Sequence, residues 1–193
     1  MKSAPILVAA VAVGTLTFVT ARPAHALGPI DLEIGAKAGV GTNPYSTQGA
    51  PNPLGFGLGG RAGVSIFGLY GGVQAMYYFG SSQTIDGVSF SNHTVMYGFE
   101  GGYGFSLIDI LTIRPQLGIG NATFSSSVSG SGAANVDVGG GGSQSNIYLE
   151  PGVTGLVSLA GWFVGADANV LFFPGLDNSK AAFTLHGQIG FKF

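Results

Sequence analysis

The sequence predicts an all-β fold, with eight long antiparallel strands closed into an up-and-down transmembrane barrel. Three observations predict it. Apolar and polar side chains alternate with a period of two over eight segments, each of ten or more residues. One phase of that alternation carries no formally charged residue. The connections between segments alternate between long and short.

The N-terminus precedes the first segment and reads as a cleavable leader. Lys2 is followed by an apolar stretch over residues 5 to 20, and Ala24-His25-Ala26 has the small-x-small pattern of a cleavage site. The stretch is shorter than the roughly 20 residues of a spanning helix. The expected organisation is therefore a signal peptide over 1–26 and one barrel domain over 27–193.

The strands are expected over 31–40, 56–66, 69–79, 93–105, 111–120, 147–157, 162–172 and 181–193. A strand in a soluble protein averages about five or six residues, whereas a tilted strand crossing a bilayer needs about 9–11. The apolar phase of the first strand is Leu32, Ile34, Ala36, Ala38 and Val40. The second gives Leu58, Ala62 and Val64, the third Leu69, Val73 and Tyr77, the seventh Trp162, Val164 and Val170, and the eighth Phe183, Leu185 and Ile189. The other phase holds Asp31, Glu33, Lys37, Arg61, Glu100, Arg114, Glu150, Asp167 and Lys192. The remaining charges after residue 26, namely Asp86, Asp109, Asp137, Asp177 and Lys180, fall in connections. Pro115 and Pro151 interrupt two strands, where proline deletes a ladder donor. Each marks either a bulge or a misplaced boundary.

In order, the connections have about 15, 2, 13, 5, 26, 4 and 8 residues. Outer-membrane barrels put long loops outside and short turns on the periplasmic side, and the odd-numbered connections here are the long ones. The longest, 121–146, is Ser/Gly-rich and is expected to be flexible.

Composition agrees with a lipid-facing surface. The chain is 46% hydrophobic and only 8% charged, against about 25% charged in a typical soluble domain. A net charge of -2 gives no electrostatic footprint for nucleic acid. The absence of cysteine excludes disulfides, thiolate metal sites and a thiol nucleophile. The three histidines have no metal-ligand spacing, so neither a metal nor a cofactor is expected. A soluble, lipocalin-like secreted barrel shares the alternation, but its coat would need many more charged residues than the polar phase supplies.

Phe183, Leu185, Ile189, Phe191 and the terminal Phe193 alternate to the last residue. With the leader and the eight strands, this ending resembles the small OmpA/OmpX-type superfamily of bacterial outer-membrane barrels. The resemblance covers residues 27 to 193. It implies a location in the bacterial outer membrane, reached by insertion from the periplasm through the barrel assembly machinery, with Ile189, Phe191 and Phe193 as the assembly signal. It implies no single activity, since such barrels include structural proteins, adhesins, narrow channels and a few lipid enzymes.

An eight-stranded lumen is just wide enough for side chains to fill. Buried charges must be paired or solvated. Lys37, Arg61 and Arg114 are therefore expected to pair with Glu100, Glu150 and Asp167, with His186 and Lys192 in the same network and the inward glycines making room for them. Such a network serves either as a plug or as a gated narrow pore. His186 is expected to be a hydrogen-bonded structural residue, because no Ser–His–acid spacing supports a triad. The expected function is a structural or weakly conducting, porin-like barrel with loops free to bind, monomeric and solvated by outer-membrane lipid. A lipid-modifying enzyme is the competing class, and the outward phase offers it only His93.

Overall fold

The computed structural model describes residues 30–46, 51–85, 88–129, 140–176 and 179–193. The expected leader over 1–26 lies outside the described residues. The strands are β1 (Ile30–Gly41), β2 (Phe56–Ile66), β3 (Leu69–Ile85), β4 (Val88–Tyr103), β5 (Phe105–Ile108), β6 (Leu111–Ser129), β7 (Gly140–Leu159), β8 (Trp162–Leu171) and β9 (Ala182–Lys192). All neighbouring pairs are antiparallel, and β4 also pairs with β6, so the sheet closes on itself. β5 continues β4 beyond Gly104, so nine strands make eight staves. The barrel shuts where β1 meets β9, from Glu33↔Lys192 to Gly41↔Thr184. The seam continues as Leu32 and Phe193 exchange backbone hydrogen bonds of 3.0 and 2.9 Å.

The two phases fall as the alternation requires. Leu32, Val64 and Ile189 are outside, 42, 37 and 51% exposed, while Arg61 and Glu100 are inside at 4% each. The outer surface is a largely apolar wall bounded by aromatic rings. Near the short turns, Tyr103 packs on Phe105 and Trp162 on Phe191, with ring centroids 4.9 and 4.0 Å apart. Near the other end, Tyr77 packs on Phe79 at 4.8 Å and Phe56 on Phe79 at 6.3 Å. The rise from Leu69 to Phe79, at about 3.3 Å per residue and a tilt of about 40°, gives a band about 25 Å tall.

Two of the short turns are two-residue hairpins. Phe67-Gly68 and Ala160-Gly161 have positive φ throughout, at 51° and 84°, then 48° and 87°. This mirror-image turn follows the right-handed twist of the strands it joins. Glycine takes the second position of each without strain.

At the opposite end the strands run further than their alternation suggests. β3 and β4 extend to Ile85 and from Val88, and β6 and β7 extend to Ser129 and from Gly140. The flanks of the Ser/Gly-rich connection are therefore paired strands, from Asn121↔Ile147 to Val128↔Gly140, and not the flexible loop expected over 121–146. Residues 130–139 lie outside the described residues. Backbone pairing does not need apolar side chains, and beyond the apolar band both faces of the hairpin can be polar.

Neither proline marks a bulge. The β4–β6 ladder lapses after Gly102↔Gln116 and resumes in the same register at Phe105↔Ile113, with Pro115 in the gap. The β7–β8 ladder lapses beyond Gly152↔Asn169 and reappears as the Leu149↔Phe172 bridge, with Pro151 between. Each missing N–H falls where no ladder bond is made, and the register survives. The bulge at this end lies instead in β3, between Phe79 and Ser82, where Ser81 N donates to Asn52 O at 2.8 Å.

Candidate functional site in the barrel lumen

The lumen is built in two layers. The layer on the short-turn side is ionic. Glu33 on β1 accepts from Arg61 Nη2 at 2.7 Å, from Arg114 Nη2 at 2.6 Å and Nη1 at 3.0 Å, and from Ser65 Oγ at 3.2 Å. Arg61 Nε also faces Glu100 Oε1 at 3.2 Å. Tyr70 lies between the two guanidiniums, whose carbons sit 4.6 and 4.0 Å from its ring centroid, and its hydroxyl donates to Glu100 at 2.6 Å. Alternation puts all these side chains inside, and the stagger of a closed barrel lets strands distant in sequence converge on one carboxylate.

Higher up, Lys37 Nζ lies 3.3 Å from Asp167 Oδ2 and donates to Gln74 Oε1 at 3.0 Å. Gln74 and Asn169 donate in turn to the two oxygens of Glu150. Arg61 Nη1 donates to Gln188 Oε1 at 2.9 Å, and Gln188 Nε2 to Asp167 Oδ2 at 3.3 Å, which joins the two groups. His186 Nδ1 is 2.7 Å from Asp167 Oδ1, and its Nε2 is 2.7 Å from the Tyr78 hydroxyl. A carboxylate only accepts, so Nδ1 carries the proton. The other ring nitrogen is paired with the Tyr78 hydroxyl, so all three groups have a partner.

The layer on the long-hairpin side is apolar. Met76 and Tyr78 of β3, Met96 of β4, Phe124 of β6 and Tyr148 of β7 fill it from the wall. Leu54, from the connection after β1, and Phe173 and Leu176, from the connection after β8, fill it from above. These connections are pinned to the barrel and to each other. Asn52 Nδ2 donates to Gly41 O at 2.8 Å, Thr94 Oγ1 to Pro53 O at 2.9 Å, and Lys180 N to Pro44 O at 2.8 Å.

Of the sequence-expected network, Lys37, Arg61, Glu100, Arg114, Glu150, Asp167 and His186 are all buried and meet in the lumen. Three details differ. Arg114 pairs with Glu33, which is the hub of the ionic layer and was not among the expected partners. Glu150 is held by amides, with no cation within ion-pair distance among the described residues. Lys192 is not in the network. It pairs with Asp31 at 2.9 Å at the barrel rim, 31 and 36% exposed, where inward-phase positions open into water.

The inward glycines make room for charged side chains, as at Gly118, whose Cβ would lie 3.2 Å from Glu150, and Gly102, 3.1 Å from Arg114, and also for rings. A Cβ on Gly63 or Gly72 would lie 2.5 or 2.3 Å from Tyr70, one on Gly57 2.6 Å from Tyr78, and one on Gly35 2.8 Å from Phe163. The room at these positions is taken by rings lying flat across the neighbouring strand.

Sequence reasoning missed Tyr78 as the partner of His186, since the two are 108 residues apart. Asp167, His186 and Tyr78 form an acid–imidazole–hydroxyl line of the kind hydrolases use, but all three are buried, with Leu54 and Phe173 packed in the same core above. His93, the outward histidine, stacks on Tyr77 with centroids 5.6 Å apart. No helix among the described residues is long and apolar enough to cross a membrane, and none of them form a metal-ligating cluster.

No family model matches the chain, and no curated protein does. Among solved structures it is similar to a major outer membrane protein of Thermus thermophilus, at 12% identity and a TM-score of 0.66 over 85% of this chain and 99% of that one. It is similar to neisserial surface protein A, at 16% identity and a TM-score of 0.57 over 86% and 97%. It is also similar to the N-terminal β-barrel domain of OprF from Pseudomonas aeruginosa, at 15% and 0.52 over 84% and 97%. At these identities the likeness is one of fold, and the fold is that of the small eight-stranded outer-membrane barrels.

Proposed function

We propose, from the premise of that shared fold, that this chain is a structural protein of the bacterial outer membrane, a closed barrel that anchors its long hairpins at the cell surface. The filled lumen carries the reading. On the short-turn side every cation has a carboxylate within 3.3 Å. On the other side Leu54, Phe173 and Leu176 are buried among wall side chains. A conducting path would have to break both layers, one by separating buried ion pairs and one by wetting an apolar core.

Several parts of this reading concern surfaces. Lipid solvates the apolar wall, whose aromatic rings sit at headgroup depth. The alternating ending through Ile189, Phe191 and Phe193, all on the outward phase, is the segment that the assembly machinery reads. Export by a cleaved signal peptide over 1–26 belongs to the same reading. Barrel closure pairs the strands within one chain, so a monomer suffices. A lipid-modifying activity has little support, because the buried Asp167–His186–Tyr78 line lies away from the lipid surface.

Two measurements test the proposal. The protein should fractionate with outer membranes and shift its gel mobility on heating in detergent. Purified and reconstituted in planar bilayers, it should remain silent at moderate voltage. Well-defined conductance steps at low voltage would overturn the closed-lumen reading.

A further inference from the structure

The inward phase continues above the apolar layer and changes character there. On three adjacent strands the inward phase reaches Asn92 of β4, Ser126 of β6 and Gln144 of β7, beyond the buried Thr94, Phe124 and Asn146. Asn92 lies directly opposite Ser126, and Gln144 opposite Phe124. Cross-strand neighbours stand about 5 Å apart, so these three side chains share one concave face. Together with Tyr45 and Phe124 they line a cleft of about 260 Å³.

The opposite wall is preorganised. Tyr45 bridges to Ser179, its N–H donates to Asn43 Oδ1 at 3.0 Å, and its ring lies 6.2 Å from that of Phe124, tilted by 52°. Burial raises the Tyr45 hydroxyl above its ordinary range, so it stays a neutral O–H donor. Pro53 beside it is fixed by Thr94.

The lining selects a ligand by what it holds and what it lacks. None of the lining residues is charged, so phosphate, sulfate and carboxylate groups meet no counter-charge. Amide and hydroxyl side chains both donate and accept, which matches a ligand whose own groups do both. The half-buried Tyr45 ring, backed by Phe124, suits a flat array of C–H bonds. The volume falls just below the roughly 300–1,000 Å³ of drug-sized pockets, so it admits one ring. A neutral sugar ring has hydroxyls at its rim and C–H bonds on its face.

We propose that this cleft binds a neutral saccharide unit of a surface glycan, with Asn92, Ser126 and Gln144 bonding its hydroxyls and the half-buried Tyr45 ring packing on its face. The inference rests on the outward-facing orientation proposed above.

The test is an array of neutral and acidic glycans probed with the purified barrel in detergent micelles, with hits titrated calorimetrically. Neutral glycans should be retained in preference to acidic ones. The double variant Ser126→Val, Gln144→Leu should weaken binding by about tenfold or more, because each lost hydrogen bond is worth a factor of about five. Thr123→Val, on the opposite face of β6, should leave it unchanged. Both variants should keep the heat-dependent gel shift. Retention of no neutral glycan, preference for acidic ones, or unchanged binding by the folded double variant would each overturn the proposal. An electrically silent barrel that binds no glycan fails this inference alone, whereas a conducting barrel that binds glycan fails only the closed-lumen reading.

Discussion

Replacing Glu33 by glutamine should remove a large share of the barrel's stability, and the structure gives the size of the effect. Glu33 accepts four hydrogen bonds, three of them from guanidinium nitrogens at 2.6 to 3.0 Å. Without its charge, Arg61 keeps Glu100 at 3.2 Å. Arg114 keeps no carboxylate among the described residues, only the Tyr70 ring and Ser65 Oγ at 3.5 Å. Removing one partner of a buried pair costs about 3–5 kcal/mol, because the other charge is stranded away from water. That is about a fifth or more of the roughly 5–15 kcal/mol that holds an ordinary domain together. Glu150→Gln is the matched control. Glu150 is also buried, but it accepts only from the amides of Gln74 and Asn169, so its neutral isostere should cost about 1 kcal/mol or less. The assay is urea unfolding of barrels refolded into lipid vesicles, followed by fluorescence of Trp162, the one tryptophan in the chain. Midpoints are compared at equal slope. Glu33→Gln costing less than about 1 kcal/mol, or Glu150→Gln costing as much as Glu33→Gln, would refute this account of the ionic layer.

Three further outcomes follow from the same geometry. Gly63→Ala should destabilise by about 1–3 kcal/mol, since its Cβ would meet the Tyr70 ring, whereas Gly71→Ala faces open space and should change the urea midpoint little. Lys192→Ala should cost less than about 1 kcal/mol, because its partner Asp31 is as exposed as it is, and the effect should vanish in high salt. Phe193→Ser should lower the amount of heat-shifting barrel recovered from outer membranes while leaving the urea midpoint of barrel refolded in vitro close to that of the parent.

The wall of the barrel was legible in the sequence because lipid and lumen impose opposite demands on successive residues. From Leu32 to Val40, and from Phe183 to Phe193, one residue in two is apolar and outward, and the scarcity of charge on the other phase assigns that face to lipid. The projecting hairpins were illegible for the converse reason. Ser125, Ser126 and Ser127 lie on both faces of β6 yet differ in nothing that a periodicity can register. The ionic residues were legible as a set, since a charge on the inward phase must find a partner. Their pairing was not, because Arg114 reaches Glu33 through the stagger of the closed sheet, and stagger depends on register around the whole ring. The apolar layer was hidden differently. Met76, Met96 and Tyr148 stood on a phase recognised by its charges, and Leu54 and Phe173 stood in connections. Tyr78 was equally hidden as the hydroxyl beside His186.

The seam between β1 and β9 has a consequence for how the protein comes to exist. β1 must wait for β9, the strand farthest from it along the described chain, and until they meet each leaves one row of peptide groups unsatisfied. Such a row is ruinous in hydrocarbon but harmless in water. A barrel whose β9 has not docked on β1 therefore keeps two open edges, however well its other hairpins have formed. Commitment to the bilayer and closure of the seam become a single event.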